Sequence, residues 1–402
     1  MQNQIGDDEM MNQKSGNRVS VLAICMFDSI HSARWLSQFT NENIDFYLFP
    51  SKKFRKIHPE LSNLINSTEL ATYRISIVPR MRQLLSLIGY IDFLIFEKIT
   101  FLAKFRISRA TVLSAAIRKL NPGIIHALEI QGAGYLVLES SSELIGSTKL
   151  IVTNWGSDIY FFQDFPDHRI KIAEILSKAT HYSAECERDY VLARKFGFTG
   201  EFLPCIPNAG GFQINSSRNL SVPSSRRKYL ICKAYGGQFG FGSIALEVLE
   251  KVLSENSEIQ VIAYSVTDDL ILFAERIARS YNNFKFFSRR NPLAREELLD
   301  YFFESRAYLG LSRSDGISTS FLESMVAGAY PIQSSTSCAN EWVQKGAIAS
   351  VIPVDANKIL QELSLVLHDD NLVDSAQIKN LEVSIAHLST DEVKPNALSF
   401  YR

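Results

Sequence analysis

Short runs rich in Val, Ile, Leu, Phe and Tyr alternate along the chain with longer segments whose apolar positions recur at helical spacing. In the first half the runs start at Val19 (VSVLAICMF), Ile44 (IDFYLFP), Gly123 (GIIHALEI), Lys149 (KLIVTNW), Thr180 (THYSAE) and Gly200 (GEFLPCIP). A second series starts at Lys228 (KYLICKAY), Ile259 (IQVIAYSV), Asn283 (NFKFFS), Arg306 (RAYLGLS), Tyr330 (YPIQSS) and Ala349 (ASVIPVD). Continuous rather than alternating hydrophobicity is what a parallel strand covered on both faces requires. Between the first two runs of the second series, SIALEVLEKVL places Ile244, Val248 and Val252 on one stripe with Leu246, Leu249 and Leu253 beside it, as a helix lying on a sheet would. The texture breaks from Pro207 to Lys228, where Ser, Asn, Gly and Pro dominate as in a connection between compact units.

This pattern predicts an α/β protein with two Rossmann-like, doubly wound domains facing a cleft. The expected boundaries are a tail at 1–17, an N-terminal domain at 18–210, a linker at 211–227, a C-terminal domain at 228–375 and a helical segment at 376–402 that returns to the first domain. In such sheets ligands bind outside the carboxyl ends of the strands, so the space between the domains is the default site.

Length and composition narrow the class. At 402 residues the chain exceeds one ordinary core, and 46% hydrophobic with 21% charged residues is a globular balance. With 42 Lys+Arg against 43 Asp+Glu, the net charge of -1 gives no support for nucleic acid as a partner. The five cysteines, Cys25, Cys186, Cys205, Cys232 and Cys338, form no C-x-x-C pair and suit a reducing, cytoplasmic compartment rather than a disulfide framework. The start carries Asp7, Asp8 and Glu9 and no apolar run, and nowhere do eighteen uncharged apolar residues follow one another.

The most informative stretch is LGLSRSDGISTSFLESMVAGAYPIQS, from Leu309. A strand ends near Ser312, a loop carries Asp315 and Gly316, and Ser318, Thr319 and Ser320 stand where a helix needs its N-cap. Phe321, Leu322, Met325, Val326 and Ala329 give that helix an apolar face, with Gly328 at its end. Amides at the helix start form an anion site suited to a diphosphate, bracketed by the carboxylates of Asp315 and Glu323. Lys233 ends an apolar strand and is followed by Gly236 and Gly237, which let backbone approach a ligand. No D-x-D pair stands at a strand end, and Asp268 and Asp269 in YSVTDD read as a helix start, so no metal site is expected. Gly132 and Gly134 in EIQGAG follow a strand but lack the third glycine of a dinucleotide fingerprint. His126 reads as a core histidine, and Cys338 as a small buried side chain.

The Asp315 to Glu323 stretch resembles the E-x7-E region of retaining GT-B glycosyltransferases of family 4, with Asp315 in place of the first glutamate. The resemblance extends to DSIHSARW from Asp28, with His31 and Arg34, to Trp155, Gly156, Ser157 and Asp158 after the fourth run, to PNAGG at the linker, and to KAYGG from Lys233. It implies that Glu323 binds ribose hydroxyls of a nucleotide sugar, Asp315 contacts the donor sugar, and Lys233 neutralises the diphosphate, without a metal or other cofactor. Family members commonly carry an Arg and, five residues on, a Lys after the first strand of the second domain; here Lys233 and Gln238 take those places, leaving Arg289 or Arg290 to supply the second cation. Trp155 stands where a sugar-contacting His is common, with Asp158 or His31 as substitutes. The implied activity is retaining, metal-independent transfer of a sugar to a cell-envelope glycan or lipid-linked acceptor. The same architecture also serves nucleotide-sugar epimerases, phosphorylases and non-catalytic scaffold subunits.

One stretch departs from the flat charge balance. Between Arg80 and Leu120, eight basic residues (Arg80, Arg82, Lys98, Lys104, Arg106, Arg109, Arg118 and Lys119) face only Asp92 and Glu97, interleaved with Leu, Ile and Phe. This fits an anionic membrane surface at the inner face of the cytoplasmic membrane, and fits equally a pair of core helices with a solvated basic edge.

Overall fold

In a computed structural model the described residues are 18–66, 71–72, 108–140 and 148–402. The acidic start and the basic stretch from Arg80 to Ile107 lie outside the described residues; Arg109, Arg118 and Lys119 fall on the helix Arg109–Leu120, which packs Leu113, Ala116 and Ile117 into the first core.

The first sheet holds β1 (Val19–Cys25), β2 (Ile44–Pro50), β3 (Ala71–Thr72), β4 (Ile124–Ala127), β5 (Lys149–Thr153), β6 (His181–Ser183) and β7 (Glu201–Phe202), in the order β3-β2-β1-β4-β5-β6-β7. The second holds β8 (Tyr229–Lys233), β9 (Gln260–Val266), β10 (Phe284–Ser288), β11 (Ser305–Gly310), β12 (Tyr330–Ser334) and β13 (Ser350–Ile352), in the order β10-β9-β8-β11-β12-β13. Every pairing is parallel; Val21, for example, lies opposite Phe46 in β2 and Ile124 in β4. The apolar runs predict twelve of these strands. β3 has only two residues and no apolar run to announce it.

Both sheets reverse strand order at a central pair, β1/β4 and β8/β11, which opens a crevice at the carboxyl ends. Helices cover both faces because the strands are apolar on both. All six residues of β11 and all five of β12 are buried, and each fully buried Leu or Ile there contributes about 1.5–3 kcal/mol.

The Ser- and Asn-rich connection is no loose tether. Arg227 donates to the carbonyls of Asn219 (2.6 Å) and Ala327 (2.8 Å), Asn219 donates to Val326 O (2.7 Å), and the Ser224 amide donates to Gln377 Oε1 (2.9 Å). Asn219, Ser224 and Arg227 are buried against the C-terminal unit, and Phe212 is buried there too. The chain crosses back at Ser389 rather than at 376: the helix Asp370–Leu388 packs on the C-terminal unit, whereas the helix Thr390–Ser399 puts Val393, Ala397, Phe400 and Tyr401 into the first unit's core. The two crossings touch, since the Phe212 amide donates to Leu388 O (2.7 Å) and the Thr390 amide to Phe212 O (3.1 Å). His126 is a core residue anchoring this return, with Nδ1 2.8 Å from the Tyr401 hydroxyl and Nε2 2.6 Å from Thr153 Oγ1. Burial pushes its pKa down to about 3, so it is a neutral partner in that network.

Candidate active site at the junction of the two units

Each candidate site residue lies at or after the carboxyl end of a strand. His31 and Arg34 lie on the helix Ile30–Ser37 after β1, Trp155 to Asp158 follow β5, Lys233 ends β8, Arg289 and Arg290 follow β10, and Asp315 to Ser320 follow β11. Parallel topology brings these ends onto facing surfaces.

Glu323 is buried on the helix Thr319–Ala327, and its Oε1 accepts from Arg34 Nη2 at 3.4 Å, so the two units meet at this carboxylate. Burial holds the Glu323 carboxyl above its ordinary range, against the pull of Arg34 and Lys233. Burial also raises Asp315, opposed by Lys233, Arg188 and the Gly316 amide. Lys233 is lowered by burial, with Asp315 and Glu323 acting the other way and Arg289 and Arg34 adding to the fall. The result is a compact set of two carboxylates and four cations, Arg34, Lys233, Arg188 and Arg289. His31, its ring edge-on to Trp155 at 5.5 Å, is pushed down to about 3 by burial and by the charges of Arg34, Lys233 and His58, which makes it a neutral member.

The helix that carries Glu323 starts without a side-chain cap. Ser318 takes the N-cap position but makes no capping bond, no acid stands in the first turn, and Gly328 closes the far end in the left-handed conformation (φ 84°). Uncapped amides with the positive end of a helix dipole, next to Lys233, form a place for an anion. Ser318 and Ser320 are buried there and Thr319 half-buried.

The second cation separates into two cases. Arg289 lies over the Tyr235 ring, 5.5 Å from its centroid, and its charge is felt at Lys233. Arg290 instead pairs with Asp268 at 2.6 Å on an exposed surface, which takes it out of the set. Gly236 donates to Thr267 Oγ1 (2.9 Å), Gly237 has φ 69° in open space, and Gln238 is exposed. Arg34, read from sequence as an acceptor-side group, is the cation closest to Glu323.

Asp158, expected from the sequence as a catalytic group, is placed as an anchor of a turn. It is buried, and its Oδ2 accepts from the amides of Ile130 (2.9 Å) and Trp155 (3.0 Å), which fixes the turn at Trp155–Gly156. Burial and the nearby Glu129 raise its pKa to about 7. Ser157 likewise serves the contact between units, donating from Oγ to Ser314 O (3.1 Å). Gly156, at φ 62°, backs onto Gly316 so closely that a Cβ on it would sit 2.1 Å from the Gly316 nitrogen.

Two residues of this junction carry no local signal in sequence. Arg188, in the helix Glu187–Lys195, donates from Nη2 to Gly156 O (3.1 Å) and Asp315 O (3.0 Å). Glu185 is pushed well above the carboxylate range by burial and then Asp315, while its Oε1 accepts from the Asn208 amide (2.8 Å). Both sit in SAECERDYVLARK, which reads as an ordinary charged helix entry. Among the described residues, one trio has metal-ligand atoms in reach of one another: Cys186, Cys338 and Glu341, within 4.8 Å. Both Glu341 oxygens already accept backbone amides, from Glu187 (2.9 Å) and Arg188 (3.2 Å), and the trio contains neither Asp315 nor Glu323.

No protein-family model matches the chain, and no curated protein matches it by sequence. Solved structures do match. A sucrose-phosphate synthase from Thermosynechococcus elongatus superposes with TM-score 0.66 at 14% identity, covering 96% of this chain and 98% of that one. HepE of Anabaena, in complex with UDP-glucose, gives 0.64 at 9% identity over 94% and 98%, and a glycosyltransferase from Rickettsia africae gives 0.62 at 11% over 96% and 98%. At such identities the likeness is one of architecture, and over nearly its whole length this chain has the two-unit GT-B fold of those glycosyltransferases.

Proposed function

We propose that the chain is a glycosyltransferase that moves a sugar from a nucleoside-diphosphate donor, with retention and without a metal, to a glycan or lipid-linked acceptor. The observation that carries this reading is the convergence of Asp315, Glu323, Lys233 and Arg34 around an uncapped helix start, on a fold that in HepE accompanies UDP-glucose.

The roles follow from charge and position. Departure of a nucleoside diphosphate concentrates negative charge on the leaving oxygens, and the helix amides with Lys233 and Arg289 are aimed where it develops. Glu323 accepts from the ribose hydroxyls, with Arg34 holding its other face. Asp315 accepts from hydroxyls of the donor sugar. Trp155 Nε1 and Arg34 Nε are buried donors without a partner among the described residues, and a ligand in the crevice would satisfy them. Trp155 therefore takes over the sugar contact that the resemblance gives to a His. With no side chain standing out as a covalent nucleophile among the described residues, the acceptor hydroxyl attacks on the face that the diphosphate leaves, and its proton passes to a departing phosphate oxygen. The membrane-linked acceptor draws on the basic stretch from Arg80, and co-sedimentation with anionic liposomes tests it; an unbound protein removes that part.

The decisive test pairs calorimetric titration of nucleoside diphosphates with turnover of a nucleotide-sugar panel. Wild type binds one diphosphate and turns over its sugar, and Glu323→Ala loses at least a hundredfold in donor affinity. Undiminished turnover by Glu323→Ala would sink the assignment.

A further inference from the structure

The geometry points to Arg188 as a positioning residue: contributed by the N-terminal unit, it holds the Asp315 loop of the C-terminal unit in the place where Asp315 meets the donor sugar. The inference rests on the function proposed above and adds a residue to it.

Arg188 is engaged on every side. Its Nε donates to Asp189 Oδ1 (2.8 Å), and fully buried Asp189 is itself held by Asn154 Nδ2 (2.7 Å). The guanidinium lies over the face of Tyr160, 3.8 Å from the ring centroid. Nη2 then donates to two carbonyls at once, Gly156 O in the first unit and Asp315 O in the second. The amides of Glu187 and Arg188 also reach across, to the carboxylate of Glu341. A planar fork backed by a buried carboxylate and an aromatic face can serve one anion and two carbonyls in fixed directions, which a lysine ammonium on a flexible stem cannot do.

The consequence falls on Asp315. Its carbonyl is tied to Arg188, the next residue packs backbone to backbone on Gly156, and the Cys338 amide donates to Gly316 O (2.7 Å). With the main chain held on both sides, the Asp315 carboxylate has one place relative to the acceptor half. Loosening the pin leaves Glu323, Lys233 and the helix amides intact, because all belong to the second unit. Nucleotide binding and chemistry should therefore separate.

Arg188→Lys and Arg188→Met test this in the full-length protein. We expect turnover to fall tenfold or more, as reacting groups displaced by about 1 Å can cost a hundredfold, while nucleoside-diphosphate affinity stays within about twofold. A second readout needs no activity: Cys186 and Cys338 are buried where the two units meet, whereas Cys232 is wholly buried inside β8. Loss of the pin raises N-ethylmaleimide labelling of Cys186 and Cys338 about tenfold, by site-resolved mass spectrometry, and leaves Cys232 protected. Wild-type turnover with wild-type labelling in Arg188→Lys overturns the proposal, as does labelling of Cys232 together with the other two, which would mark general loss of fold. If wild type binds no diphosphate and turns over no nucleotide sugar, the function falls, and labelling still decides whether Arg188 pins the loops.

Discussion

Two glycine-bearing turns in this molecule lead from a parallel strand into a helix, and they are put to opposite use. After β4, Glu129 folds its carboxylate back onto the amides of Gly132 and Ala133, both at 2.6 Å, so the turn Ile130–Gly134 carries its own anion. A Cβ on Gly132 would lie 2.3 Å from Glu129 Oε1, which shows how closely that carboxylate fills the turn. After β11, Asp315 and Gly316 lead into a helix whose N-cap Ser318 makes no side-chain capping bond and whose first turn has no acid. The chemistry of exposed amides is alike in both. What differs is whether the protein has already satisfied it, and only the turn left open can take a ligand's phosphate.

Substitutions can break that contrast, and the largest effect is expected at the glycine contact. Gly156→Ala places a methyl group 2.1 Å from the Gly316 nitrogen at a φ of 62° that L-residues avoid, so the Asp315 loop must move. Turnover should fall about a hundredfold with the nucleotide still bound, and steady-state kinetics beside titration reads both. Opening the closed turn comes next. Glu129→Ala strands the buried Ala133 amide and the half-buried Gly132 amide and should cost about 1–3 kcal/mol in denaturant unfolding, with no second nucleotide site gained. A second binding event in calorimetry would show the contrast to be wrong.

Closing the open turn is the converse experiment. Ser318→Asp supplies the missing cap, which should stabilise the helix by a few tenths of a kcal/mol while lowering diphosphate affinity about tenfold, since a fixed carboxylate then competes for the same amides. Asp158 offers a pH test of the anchor role. Its folded pKa, raised from 3.8 to about 7, means the folded state holds a proton that the unfolded state has released, so stability declines as pH rises from about 4 to 7 and is flat above. Asp158→Asn should flatten the thermal midpoint over that window. The smallest effect belongs to Arg290→Ala: loss of its exposed pair with Asp268 should leave the denaturant midpoint and the donor affinity unchanged, whereas Arg289→Ala weakens the diphosphate.

Periodicity carries a long way here because the strands are buried on both faces, and a run such as that of β11 has no other reading at its length. Strand β3, with two residues, has no such signal. The Ser-rich connection reads as loose because its composition is polar, yet Arg227, Asn219 and Ser224 use that polarity to bond the C-terminal unit. The motif from Leu309 announces Asp315, Glu323 and the helix start, since strand end, loop acid and helix entry are contiguous. Asp158 and Arg290 were legible only as charged groups near strand ends; which way each side chain turns depends on Ile130 and Asp268, 28 and 22 residues away.

Local order in the chain was thus enough to dictate two parallel sheets, the helix start after β11 and the side of the sheets to which the candidate residues fall, because each rests on hydrophobic period or on neighbouring residues. The pairing of Arg34 with Glu323, 289 positions apart, and the grip of Arg188 on Asp315, 127 apart, join the two units, while the return of Tyr401 to His126, 275 apart, closes the first unit's own core. No spacing rule encodes such contacts, since they depend on the relative placement of surfaces that the chain builds independently.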